Sequence, residues 1–471
     1  MIPPADLAAL RHAVAGAVLV PGAAEYEAVR RPPLARFHDL RPQAIVRCTA
    51  PADVAAAIAF ARPAGLELAV RSGGHCFAGR SSTRGLLVDV GPLDGVEIGD
   101  GVVTAGAGAR LAAIYDALEA EGLTIAAGCG PTVGIAGLAL GGGLGILGRR
   151  HGLTSDQLVA ARVVLADGRV VDCDERREPD LFWALRGAGG CQFGVLVRLT
   201  LRTLPAPTAT TLHLRWPHAA GVGVLDAWQA WAPDAPDELA ASLLVTAGAD
   251  PAVPPQVHVF GAMTGTAGET TTLLDALVDR AGAEPASAEL RELPYRQAKR
   301  RLAEHAPGEE AAPDATGFAK SEFFRGPLPT GAIAALLDHL AAARAPGQQR
   351  ALDFSPWGGA YNRVDAGATA FAHREERFLL KHDVAIAAGA TAAERTSAGD
   401  WLARSWALVH PWGSGRIYPN FPDPDVEDWP AAYHGANLDR LARVKAAYDP
   451  GNVFRSAQSI PVGPASRPAR A

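Results

Sequence analysis

Lysine is almost absent from this chain of 471 residues: it stands only at positions 299, 320, 381 and 445, and arginine supplies the rest of the 44 basic residues. The bias points to high-GC coding and to no particular function. Runs of like charge are missing too, and the net charge is only −6 at pH 7, so nucleic acid and anionic membrane surfaces are poor partners. No apolar stretch approaches the roughly 20 residues that a membrane-spanning helix needs. The N-terminal apolar tail only faintly imitates a signal sequence, because Asp6 sits where basic residues belong and Arg11 and His12 follow it. A cytoplasmic location is the expectation, with export left open. Cysteine occurs at 48, 76, 129, 173 and 191, an odd number confined to the first half and without C-x-x-C or Cys/His metal spacing. Neither a disulfide framework nor a metal site is therefore expected. Internal repeats are absent, which excludes a solenoid.

What the chain does have is length for two or three domains, 48% hydrophobic residues to fill their cores, and 51 glycines. At 71–82, RSGGHCFAGRSS, Gly73 and Gly74 precede His75 directly after the alternating run Leu66-Glu67-Leu68-Ala69-Val70. This reads as a strand ending in an anion-binding turn. Without a β-carbon, paired glycines let backbone N–H groups converge on a phosphate-like oxygen. A plain loop with a surface histidine would look the same in isolation. The stretch AGCGPTVGIAGLALGGGLG, 127–145, adds the missing context. Each ordered glycine costs about 0.5–1 kcal/mol relative to alanine in regular structure, so a large ligand lying against bare backbone is the expected compensation.

Residues 44–205 alternate strand and helix signals: AIVRC, a helix over 51–61, LELAV, LLVDV, GVVTAGAGA and a helix over 111–121. Asp167-Gly168 between two β-branched runs signals a two-residue hairpin. The Pro-rich segment 203–211 marks a boundary, after which TTLHLRW, SLLVTAG and QVHVFGAM read as strands and 221–231, 271–281 and 333–344 as helices. An antiparallel sheet with one face covered by helices is expected there. Gly143-Leu144-Gly145-Ile146-Leu147-Gly148 also matches the dinucleotide fingerprint G-x-G-x-x-G, with Asp167 near the ribose-binding offset. It follows a glycine loop, where the fingerprint needs a short strand, so a nicotinamide site is not expected.

These two stretches, with WALRGAGG at 183–190, YPNF at 418–421 and DPGNVFRSAQSIP at 449–461, resemble the berberine-bridge-enzyme-like flavoprotein oxidases. That family sits within the wider vanillyl-alcohol oxidase and p-cresol methylhydroxylase type of FAD-linked oxidase. The resemblance spans nearly the whole chain in the same order. It implies a two-domain α+β fold: an FAD-binding part at 1–205, a substrate domain at 206–412, and a segment at 413–471 that returns to the FAD domain. It places FAD against Arg71, Ser72, Gly73, Gly74, His75 and Gly79; against Cys129, Gly130, Thr132, Val133, Gly134, Gly137, Gly141, Gly142 and Gly145; and against Gly194, Val195, Tyr418, Asn420 and Asn452. His75 occupies the place of the histidine that such enzymes join to the flavin. Many relatives add a second bond from a cysteine in a Cys-x-x-Val-Gly arrangement, but here Gly130 holds that position and Cys129 lies one residue early. Either the loop shifts to let Cys129 react, or the flavin hangs from His75 alone.

The resemblance also makes Tyr418 the base that takes a substrate hydroxyl proton while hydride leaves for the flavin. An ordinary tyrosine titrates near ~10, so it would need a nearby positive charge or carboxylate. Asp353 is the helper expected, with a solvated structural aspartate as the alternative. His373 and Arg374 belong either to the pocket wall or to an ion pair, and Phe354, Trp357 and Tyr361 to the pocket or to the core. The implied function is an FAD oxidase of secondary metabolism that acts on an alcohol, hemiacetal or related C–H group of a small molecule and passes electrons to molecular oxygen. A dehydrogenase with another acceptor, or a non-catalytic flavin-binding homologue, remains the alternative.

Overall fold

The computed structural model describes residues 2–304 and 315–463. Two larger sheets build the first half, beside a two-stranded ribbon that pairs Leu123–Thr124 with Leu204–Pro205. Strands β1 (Ala17–Leu19), β2 (Ala44–Arg47), β3 (Leu68–Arg71) and β4 (Leu86–Asp89) lie in the order β1-β2-β4-β3, with β4 parallel to both β2 and β3. The helix Pro51–Ala61 makes the crossover; proline in its first turn has no N–H to leave unpaired. Strands β5 (Val96–Gly99), β6 (Val102–Gly106), β7 (Leu158–Val164), β8 (Val170–Cys173) and β9 (Val195–Arg202) form an antiparallel sheet ordered β5-β6-β9-β7-β8. The β7–β8 turn is one residue longer than expected. Leu165 N donates to Arg169 O at 2.9 Å, which leaves Ala166, Asp167 and Gly168 in the loop with Gly168 at φ +87°.

The second half is one seven-stranded antiparallel sheet. Its strands are β10 (Thr208–Pro217), β11 (Leu239–Ala247), β12 (Gln256–Met263), β13 (Ser287–Pro294), β14 (Thr316–Phe324), β15 (Gln349–Pro356) and β16 (Phe378–Ile386), ordered β13-β10-β12-β11-β15-β16-β14. Strand alternation divides its residues sharply. Leu212, Leu214, Leu243, Val245, Val257, Val259, Leu352, Phe354 and Leu380 bury one face under helices Gly221–Trp231, Ala267–Ala281, Thr330–Ala341 and Ala392–Ala407. His213, Arg215, Thr246, Gln256, His258, Gln349, Lys381 and Asp383 point the other way and wall a cavity. The helix expected from 271 begins four residues earlier because Thr266 and Glu269 form a reciprocal capping box, at 3.2 and 2.9 Å.

Core membership changes between Leu201 and Leu212 and then reverts: Leu441, Val444, Phe454 and Ile460 pack into the first core. Residues 464–471 of the expected C-terminal segment lie outside the described residues. The return is fastened by a fully buried pair. Lys445 Nζ reaches Asp449 Oδ2 at 2.7 Å and also donates to Gln192 O and Phe454 O at 2.7 and 2.6 Å. Among the described residues no helix is long and apolar enough to cross a membrane. Replacing Asp449 with alanine leaves the buried ammonium without its counter-charge. We expect a loss of about 3–5 kcal/mol in urea unfolding followed by intrinsic fluorescence, whereas removing an exposed pair such as Arg440–Asp180 costs about 0–1 kcal/mol.

Candidate active site

β3 ends at Arg71, and the glycine turn follows at once. The Arg71 guanidinium, expected against the cofactor, is instead occupied by protein: it donates to Ser81 O, Val29 O, Arg30 O and Ser82 Oγ at 2.7–2.9 Å. Burial lowers its pKa to about 10. Arg71 thus shapes the 72–82 loop and also lines the cavity that opens beside Gly73. Gly74 and Gly79 both have positive φ, at +79° and +70°, and a Cβ on Gly79 would lie 2.5 Å from the Phe37 ring.

The turn is seated on the second glycine segment, backbone against backbone. A Cβ on Gly73 would stand 2.3 Å from Gly134 N, and one on Gly134 would stand 2.1 Å from Ser72 Oγ. Thr132 Oγ1 lies 3.0 Å from His75 Nε2, and Arg110 donates to Thr132 O at 2.6 Å. Burial, then the charge of Arg110, lowers the His75 pKa, so its imidazole is neutral near pH 7. A cavity of about 360 Å³ opens here between Pro32, Ser72, Gly73, Asp94, Gly108 and Arg110. A Cβ on Gly137 would meet nothing, and the buried Oδ1 of Asn452, a residue at φ +47°, lacks a hydrogen-bond partner among the described residues. Bare backbone, an arginine-flanked cavity, a neutral imidazole and an orphaned amide oxygen fit a large, phosphate-bearing cofactor such as FAD.

The rest of the glycine segment is held from the other side. Tyr418 Oη accepts from Gly143 N, Leu144 N and Asn420 Nδ2 at 2.8, 3.0 and 3.1 Å. Its ring is enclosed by Phe323, Trp357, Phe371 and Phe421, and burial pushes its pKa up to about 12 against those three donors. Tyr418 is expected to face the flavin as a base; the structure turns its hydroxyl to backbone amides and Asn420, with no acidic or basic side chain hydrogen-bonded to it among the described residues. Asn420 also donates to Leu138 O at 2.9 Å, and Gly141 leaves room for its side chain. Gly142, at φ +116°, and Gly145 pack on Phe371 and Ala127 O. Gly130 packs on Val133, itself partly buried against the first core. Tyr361 and Trp357 prove to be core residues, with Tyr361 Oη 3.0 Å from Gly145 O. Phe354 is likewise in the core. Arg374 pairs with Asp156 at 2.7 and 2.9 Å, the structural alternative of the two, and His373 is buried against Phe323 and Phe371. Val195 opens β9, where it pairs with Val164, and Gly194 lies in the bend just before it, where a Cβ would meet Val163.

Three groups that the sequence does not single out complete the site. Lys299 Nζ, fully buried and with its pKa lowered to about 8 by burial, donates to Ala127 O and Gly128 O at 2.5 and 2.9 Å. It pins the loop that carries Cys129. Lys381 lies 3.4 Å from Asp353 Oδ2 and 3.2 Å from Asp383 Oδ2. Burial works to lower the Lys381 pKa, but the two carboxylates together raise it. Lys381 and Asp383 wall a cavity of about 620 Å³ whose lining also includes Pro33 and Phe77, beside the His75 turn. Only a charged pair spaced i, i+2 in the apolar run FLLKHDVAI could have flagged Lys381 and Asp383 from sequence.

Residues 42–174 match the family model of the FAD binding domain, and residues 417–461 that of berberine and berberine-like proteins. An FAD-linked oxidoreductase of Bacillus subtilis, YvdP, is 33% identical over 90% of this chain and 93% of its own. A chitooligosaccharide oxidase of Gibberella zeae is 30% identical over 89% of this chain and 87% of its own. Among solved structures, glucooligosaccharide oxidase from Acremonium strictum, described with a 6-S-cysteinyl, 8α-N1-histidyl FAD, superposes with a TM-score of 0.87 at 26% identity, covering 97% of this chain and 99% of that one. The contact between the two glycine segments makes a paired prediction. Gly134→Ala should lower the thermal midpoint by several degrees and strip bound flavin; Gly268→Ala, on the exposed first turn of helix Ala267–Ala281 with open space around its Cβ, should leave the midpoint unchanged or raise it.

Proposed function

The chain belongs to the FAD-linked oxidoreductases of the berberine bridge enzyme-like family, and from that premise we propose that it oxidises an alcohol, hemiacetal or comparable C–H group of a sugar or natural product, with FAD joined to His75 and oxygen reduced to hydrogen peroxide. The observation that carries this reading is the seat of His75: a neutral imidazole on a glycine turn, next to a cavity walled by the polar face of a sheet. When bound, FAD supplies the two-electron oxidant that no side chain can provide.

The protein's own part is binding, orientation and proton handling. Ser72, Gly73 and Gly74 present backbone, and Arg110 offers the nearby positive charge, for the anionic part of the cofactor. Asn420 and Tyr418 fix the Gly141–Leu144 turn, and Asn452 brings its unpartnered oxygen. An unprotonated ring nitrogen is what a covalent bond from His75 requires. We read Cys129 as unattached: its thiol packs with a small apolar cluster containing Phe260 and Tyr295, and Lys299 and Tyr115 hold the adjacent carbonyls, which opposes a one-residue shift. On the substrate side, imidazoles, amides and charged groups alternate with Phe77, Phe260 and Phe318 around a space of about 620 Å³. A disaccharide or a polycyclic natural product fits that size and that mixture of hydrogen-bonding groups and ring faces.

Two measurements test the reading. His75→Ala should keep the fold but release all its flavin on acid precipitation, whereas a flavin still bound to that variant would move the attachment elsewhere. After anaerobic reduction, exposure to air should return the oxidised flavin spectrum rapidly and with hydrogen peroxide; slow return would favour a dehydrogenase.

A further inference from the structure

Among the described residues, the arginine and lysine side chains that line the 620 Å³ cavity are Arg36, Arg215, Arg350 and Lys381. Three of them are engaged. Lys381 lies between the carboxylates of Asp353 and Asp383, at 3.4 and 3.2 Å, and Arg350 donates to Leu340 O and Ala342 O at 3.1 and 2.6 Å. Arg36 donates to Phe77 O at 2.5 Å and lies over the ring of Phe37. The Arg215 guanidinium makes no hydrogen bond or ion pair among the described residues. Its nearest strand neighbour, β13, carries Glu289, but that carboxylate pairs with Arg301 and Arg291 at 2.7 and 3.6 Å. Arg301 foremost, then Arg291 and Arg215, holds Glu289 below the usual glutamate range. Glu304, at the end of the helix Tyr295–Ala303 that packs on β10 and β13, also lines the cavity. Arg215, Arg291 and Arg301 against Glu289 and Glu304 leave this end with one positive charge. Beside the His75 turn, Lys381 and Arg36 are balanced by Asp353 and Asp383.

Register sets how far apart the two ends lie. Arg215, His258, Leu244, Asp353 and Lys381 are successive cross-strand partners on β10, β12, β11, β15 and β16. Adjacent strands lie about 4.8 Å apart, so the backbones of Arg215 and Lys381 are separated by about 19 Å. Lys381 Nζ stands 6.0 Å from the ring of Phe77, two residues after His75, which marks the reacting end. Arg215 marks the far end, well beyond the screening length of about 8 Å at physiological salt, so the two ends act separately on a ligand. We propose that Arg215 binds a carboxylate at the far end of the substrate, so that acidic sugars or acidic ring systems two or three rings long are taken in preference to their neutral twins. The inference rests on the proposed oxidation and adds the charge of its substrate. A guanidinium fork meets both oxygens of a carboxylate, and the single positive charge of this end matches a monoanion. His213 and His258, 3.1 Å apart, and Thr246, 3.2 Å from His258, add polar groups beside Arg215, while Leu244 and Phe260 offer apolar surface to the rings.

Calorimetric titration of the purified holoenzyme with two matched pairs decides the assignment: cellobiouronic acid against cellobiose, and 4′-(hydroxymethyl)biphenyl-4-carboxylate against its carboxamide. In at least one pair the acid should bind about 10-fold or more tighter than its neutral twin. Arg215→Gln should cut that preference to under about 3-fold, and Arg215→Lys should keep part of it. Arg215 is exposed, so neither substitution threatens the fold. Failure of both acids to bind more tightly than their twins, or a preference that survives Arg215→Gln, overturns the proposal and leaves the FAD reading intact. Protein purified without flavin, and taking up none, overturns that parent reading instead; calorimetry with the same pairs reads binding alone and still decides whether Arg215 selects the acid.

Discussion

The contact on which the rest of the site depends is backbone against backbone, at Gly73 and Gly134. Neither position has room for even a methyl group, because main-chain nitrogen stands opposite both: Gly134 N is 2.3 Å from a Cβ on Gly73, and Gly73 N is 2.4 Å from a Cβ on Gly134. This closeness lets Thr132 reach His75 and brings Arg110 beside the same turn. Separate the two segments by a side chain, and the imidazole, the anion-binding amides and the nearby positive charge no longer converge.

Around that contact the protein places most of its clamps on the loops and leaves the cavity faces free. Arg71, Arg149, Lys299 and Tyr418 all direct their polar groups at backbone atoms of neighbouring loops. Three of them are buried cations without a carboxylate at hydrogen-bond distance among the described residues, so carbonyl dipoles supply the solvation that water would give. The seven-stranded sheet does the opposite with its two faces. One is sealed by aliphatic and aromatic packing under four helices, and the other carries the histidines, amides and charges of the cavity wall.

How much of this could be read from the sequence follows from which interactions are local. The strand Gln256–Met263 and the helix Gly221–Trp231 match the reading, because alternation and helical spacing are properties of adjacent residues. The start of helix Ala267–Ala281 was missed by four residues because the signal was a capping pair, Thr266 and Glu269, in place of an apolar period. The dinucleotide fingerprint is preceded by the short helix Ile135–Leu140, where the sequence reads as a glycine loop; in neither case does it follow the strand that it needs. Glycine and histidine motifs marked the cofactor side, since backbone approach demands glycine wherever it occurs. Proton chemistry was not legible. Tyr418 is drawn into the core by four aromatic rings, and the pairing of Lys381 with Asp353 depends on a register between strands that no local pattern encodes.

The central claim is that a flavin is bound in this seat and tethered there. Intact mass analysis of the acid-denatured wild-type protein, together with its visible spectrum, tests that claim most directly. A yellow precipitate heavier than the bare polypeptide by one FAD is the predicted result. A colourless protein with the mass of the polypeptide alone, and no uptake of added FAD, would contradict the account.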